Sequence, residues 1–126
     1  MLLLGPPGCG KSDLLLRLLD YGFSLVADDR VEIVDGIAVP PAEIAGMIEV
    51  RGLGIVRLPY TQGARLALAV ELAALGERLP RPERHEPTGL PLVALDPASP
   101  SAPARVALAL ACALGHVRQV AGAFAA

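Results

Sequence analysis

"LLLGPPGCGKSDLLLRLLDYG", residues 2–22 of a 126-residue chain, decides how the rest is read. Gly5-Pro6-Pro7-Gly8-Cys9-Gly10-Lys11-Ser12 fits G-x-x-x-x-G-K-[ST]. Glycines let a backbone wrap closely around phosphate oxygens with its N–H groups pointing inward, and a helix starting at Lys11 adds its positive end. The Lys11 ammonium can then reach β- and γ-phosphates, and the Ser12 hydroxyl can ligate Mg²⁺. The flanks agree. Leu2–Leu4 read as the end of a buried strand. Leu14, Leu15, Leu18 and Leu19 recur at helical spacing on one face, and Gly22 stops the helix. The competing reading is a glycine-rich turn with an incidental Lys-Ser.

Composition narrows the partners. Hydrophobic residues make up 53% and charged residues 19%, enough apolar material for a packed core and too much for disorder. Aromatics are only 3%, so Leu, Val, Ile and Ala must fill that core. A net charge of -2 carries no basic footprint for nucleic acid. "MLLLG" is far shorter than the roughly 20 apolar residues of a membrane span and has no basic flank, so no membrane association is expected. Cys9 and Cys112 have no metal-ligand spacing, and a disulfide at Cys9 would obstruct the cradle. Both read as reduced thiols, which favours the cytoplasm.

Further along, "FSLVA" (23–27) reads as a buried strand, and "VEIVDGIAVP" (31–40) as two strands about an Asp35-Gly36 turn. One helical turn is expected over 42–46, and "MIEV" and "GIVRLP" read as strands around "RGLG". Alternation of Leu66, Leu68, Val70 and Leu72 favours one strand over 64–73. Prolines and charges over 79–91 read as a surface loop, "LPLVALD" (90–96) as a strand, and "RVALALACALGHVRQVAGAFAA" (105–126) as a long helix fraying after Gly122. Strands and helices do not alternate throughout, so a mixed sheet with few helices is expected rather than a doubly wound one. The whole chain reads as one domain, residues 1–126, with a first strand clipped at its front.

Two segments carry acids. "SLVADDR" puts Asp28 and Asp29 side by side, where adjacent carboxylates repel unless they share a cation or a proton. One could hold Mg²⁺ while the other takes a proton from an incoming hydroxyl. A strand-ending turn with solvated acids is the plainer alternative. In "IEVRGLGIV" the strand period places Glu49 and Arg51 on one side, with Gly52 and Gly54 allowing close approach. That suits a meeting point of metal, phosphate and acceptor. It suits an exposed hairpin with a surface ion pair equally well.

"GPPGCGKSD", "LVADD" and "IEVRGLGI", in this order and spacing, resemble the HPr kinase/phosphorylase family. The resemblance runs from the cradle through Ile55 and more weakly to the end. It implies a phosphoenolpyruvate-carboxykinase-like P-loop domain, with a curved mixed β-sheet and few helices packed on one side. It implies an ATP- and Mg²⁺-dependent protein serine kinase of the sugar phosphotransferase system, acting on the phosphocarrier protein HPr and able to reverse by phosphorolysis. Asp28 would be the catalytic base, with Arg51 near the transferred phosphate. Gly5, Gly8, Cys9, Gly10, Lys11, Ser12, Asp13 and Arg105 would lie at the nucleotide, and Ser12, Asp29 and Glu49 at the metal. A homo-oligomer in the cytoplasm is implied as well.

This chain departs from the family pattern in three ways. The family's histidine upstream of the cradle would fall before residue 1, and the stretch read here corresponds to the catalytic domain alone, a short form without the N-terminal regulatory domain being the expectation. The late loop "PSAPARV" (100–106) puts Arg105 on the family's second arginine but Ala102 on its first. His85 and His116 have no ligand-spaced partner and read as solvated or partly packed. Two other readings compete. A small-molecule kinase would need an arginine-rich lid and more helices. A nucleotide-binding sensor without turnover would have little use for the acid pair.

Overall fold

A computed structural model describes residues 1–28, 30–74 and 76–125. The chain forms two compact units, Met1–Lys11 with Leu66–Ala126, and Ser12–Arg65.

The first unit is built on a mixed four-stranded sheet in the order β1 (Leu2–Leu4), β7 (Ala69–Leu72), β9 (Pro91–Leu95), β8 (Glu83–Arg84). β1 and β9 both run parallel to β7, and β8 runs antiparallel to β9. Parallel strands are covered on both faces and so read as continuous apolar runs. Accordingly Ala69, Val70, Leu72 and Leu95 are buried. β8 lies within the stretch expected to be all loop. A tight turn returns the chain to β9: the His85 N–H donates to the Leu90 carbonyl at 2.8 Å, and the His85 Nδ1 meets the Thr88 hydroxyl at 2.7 Å. His85 is thus a turn residue.

α2 spans Ala102–Ala113 and buries Ala102, Pro103 and Val106. The helix expected to run to the end of the chain stops here. The His116 N–H donates to Ala111 O at 2.9 Å and the Gly115 N–H to Cys112 O at 3.1 Å, a glycine-dependent stop with Gly115 at φ 79°. Alanine content favours propagation, but those two bonds satisfy the end carbonyls better. Helix α1 (Lys11–Asp20), which runs into the second unit, ends the same way, with Phe23 N–H on Leu18 O and Gly22 N–H on Leu19 O.

In the second unit α1 fully buries Leu14 and Leu18. β2 (Glu32–Val34) and β3 (Ile37–Val39) form the expected hairpin, with positive φ at both Asp35 and Gly36. β6 (Ala64–Arg65) adds to β3. After one 3-10 turn at Ala42–Ile44, β4 (Met47–Val50) and β5 (Gly54–Arg57) pair as a separate hairpin. Two expectations need correction. Residues 23–27 form no strand: Leu25 is buried, but its carbonyl takes a single ladder-like bond, from the Thr61 N–H at 2.6 Å. Residues 64–73 are not one strand but β6 and β7, which serve different sheets in different units.

Among the described residues, no helix is long and apolar enough to cross a membrane. Cys9 and Cys112 are free thiols.

Candidate active site

The glycine-rich turn leaves β1 at Leu4 and enters α1 at Lys11. Its tightest point is the Cys9 N–H donating to Pro6 O at 3.2 Å. Gly8 and Gly10 have φ of 80° and 96°, where side chains are disfavoured. A Cβ on Gly5 would lie 2.5 Å from Cys9 Sγ, so the thiol occupies the space that a side chain there would need. At Gly8 none of the described residues comes within 4 Å of where a Cβ would stand, so they leave the loop open at that point. The Lys11 ammonium donates back to Gly5 O at 3.4 Å. An open, glycine-lined turn with an ammonium beside it fits a polyphosphate.

In the second unit a side-chain hydroxyl and a backbone amide converge on Asp28. The Ser12 hydroxyl donates to Asp28 Oδ1 at 2.7 Å. The Glu49 backbone N–H donates to Oδ2 at 3.1 Å. Among the described residues each carboxylate oxygen is therefore held by one donor and keeps further lone-pair capacity. That combination can hold a hard cation through oxygen or accept a proton. Among the described residues no group of three or more His, Cys, Asp or Glu could hold a metal by itself. Magnesium suits this sparse donor set, because it is commonly bound by one or two carboxylates plus phosphate oxygens and waters.

The other expected site residues sit as follows. Glu49 belongs to β4, and the group it brings to Asp28 is its amide, a role invisible to a sequence motif written in side chains. Its own side chain is exposed. Arg51 lies in the turn after β4 ends at Val50, so strand alternation does not extend to it. Asp13 is exposed on the first turn of α1 and pairs with Arg17 at 3.1 Å. Arg105 is exposed on α2, its Nε donating to Ser101 Oγ at 2.8 Å. Ala102, matched to an arginine of the family loop, is fully buried, where a guanidinium has no room. Asp29 lies outside the described residues.

The elements define a mixed α/β protein. A family model described as HPr Serine kinase C-terminal domain matches residues 1–81. The chain belongs to that family. It is 45% identical over 67 residues to an HPr kinase/phosphorylase of Clostridium novyi, covering 50% of this chain and 22% of that protein. To an HPr kinase/phosphorylase of Clostridium tetani it is 41% identical over 75 residues, covering 56% and 25%. The chain thus spans about a quarter of the length of the curated relatives it matches. Among solved structures, the Hpr(Ser) kinase/phosphatase of Coxiella burnetii superposes with a TM-score of 0.64 at 23% identity. That match covers 90% of this chain and 80% of that one, so the fold is shared.

Proposed function

We propose that this chain is a protein serine kinase that moves the γ-phosphoryl group of ATP to a serine hydroxyl of HPr, with Mg²⁺, and runs the reverse step by phosphorolysis. The observation that carries this is Asp28, gripped through both carboxylate oxygens by Ser12 at 2.7 Å and by the Glu49 amide at 3.1 Å. A carboxylate so oriented can serve as a base in a fixed direction.

Gly5, Gly8, Cys9 and Gly10 wrap the polyphosphate with backbone N–H groups, and the Lys11 ammonium moves from Gly5 O to the β- and γ-oxygens. Ser12, Asp29 and Glu49 would hold Mg²⁺, which when bound would supply positive charge against those oxygens. Asp28 accepts the proton of the acceptor serine as that oxygen bonds to the γ-phosphorus and the bond to the leaving diphosphate breaks. In phosphorolysis an oxygen of inorganic phosphate bonds to the phosphorus of the phosphoserine as the bond from that phosphorus to the serine oxygen breaks; Asp28 takes the proton of the attacking phosphate hydroxyl and passes it to the serine oxygen, giving serine and pyrophosphate. Arg51 steadies the transferred group, and Asp13 and Arg105 lie toward the nucleotide. Reduced cysteines and a protein acceptor fit a cytoplasmic enzyme, and a homo-oligomer is the assembly we infer.

Mixing the chain with radiolabelled ATP, Mg²⁺ and purified HPr tests this. Label on HPr that disappears when its acceptor serine is replaced by alanine is the expected result. Label on neither HPr nor any small-molecule acceptor, with nucleotide still bound, would leave a nucleotide sensor in its place.

A further inference from the structure

In the second unit the Glu49 amide that meets Asp28 lies on the β4–β5 hairpin, whose pairing continues beyond the two strands at its far end. The Leu58 N–H donates to Gly46 O at 2.7 Å, making 46 and 58 a hydrogen-bonded pair. Along an antiparallel ladder such pairs alternate. With Ile48 opposite Val56 and Glu49 opposite Ile55, the Glu49 N–H then points away from β5, to the open edge of β4. Asp28 takes it there at 3.1 Å. A one-residue slip would turn that amide into the ladder and away from the carboxylate.

Two features hold the register at the hairpin's open end. Gly46 has φ 77°, and a Cβ there would lie 2.7 Å from Leu58 O and 2.8 Å from the Tyr60 ring, so only glycine permits this approach. Arg57 reaches back across the strands, its Nη1 donating to Ala45 O at 3.1 Å and its Nη2 to Met47 Sδ at 3.5 Å. It thus brackets Gly46 from both sides in sequence.

We propose that Arg57 is a positioning residue: by locking the β4–β5 register it presents the Glu49 amide to Asp28. The kinetic consequence rests on Asp28 being the base; the structural one does not.

The test uses the whole chain with Arg57→Met, which keeps the length and loses the donors, and Arg57→Lys, which keeps one donor group. Exchange of the Glu49 amide proton is followed by NMR alongside transfer kinetics. In Arg57→Met the Glu49 amide is expected to lose its protection, and kcat to fall about tenfold with KM for ATP unchanged, as for a misaimed group. Arg57→Lys is expected to recover a large part of both. Full Glu49 protection in Arg57→Met overturns the proposal. So does an equal collapse of every amide of the second unit in both variants, which would make Arg57 a general fold residue. If Asp28→Asn keeps transfer but Arg57→Met still exposes the Glu49 amide, the positioning stands and the base assignment falls.

Discussion

At the scale of single residues, hydroxyl, carboxylate and amide stand in one short chain of bonds. Ser12 donates its only proton to Asp28 at 2.7 Å, which leaves its lone pairs for a cation. Ser12→Ala removes both functions, so transfer is expected to fall about 10- to 100-fold, as for lost partners around a metal. Ser12→Thr, which restores the hydroxyl, should recover much of it; steady-state rates at varied Mg²⁺ check both. Elsewhere in the second unit Leu14 is fully buried. Leu14→Ala should cost about 2–5 kcal/mol in urea unfolding, from lost burial plus the cavity left behind. The sequence put Ser12 and Asp28 forward because chemistry restricts which residue types can ligate a cation or take a proton, and the structure joins the two by a hydrogen bond. The Glu49 amide was not legible in the sequence, because every residue has an N–H and only strand register says which one faces outward.

Among the elements, the helix ends are the clearest lesson. Alanine propensity carried the expected C-terminal helix past Gly115, yet Gly115 at φ 79° ends it with two backbone bonds. Propensity differences are a few tenths of a kcal/mol per residue, whereas a glycine-based stop satisfies end carbonyls outright. Gly115→Ala, with open space around the new Cβ, should therefore cost only about 1–2 kcal/mol, the strain of a left-handed alanine. Thermal unfolding followed by circular dichroism reads that change. The β2–β3 hairpin was legible because Asp-Gly favours the turn that matches strand twist. Residues 23–27 were misread because burial of Leu25 looks identical whether or not a ladder accompanies it.

On the scale of the whole molecule, the mixed sheet of the first unit was foreseen and the split of 64–73 was not. The alternation there reflects burial alone, with Leu66 and Leu68 in the segment between β6 and β7 and only Val70 and Leu72 in a strand, and nothing in a period of two reveals that the partner strand changes between Arg65 and Ala69. The proposed nucleotide binding has a global readout. At 100 times Kd, Mg²⁺-ATP should stabilise the folded chain by about 2.7 kcal/mol, seen as a higher unfolding temperature. Lys11→Ala should abolish most of that rise while leaving the unliganded transition in place. The central claim, that the carboxylate of Asp28 takes the acceptor's proton, is tested most directly by transfer to HPr in Asp28→Asn. The asparagine keeps the size and accepts or donates hydrogen bonds but is no base at neutral pH. We expect transfer to fall by about 10²- to 10⁴-fold, the usual worth of a positioned base, with nucleotide affinity within a few-fold of the parent. Transfer at the parental rate by Asp28→Asn would contradict it.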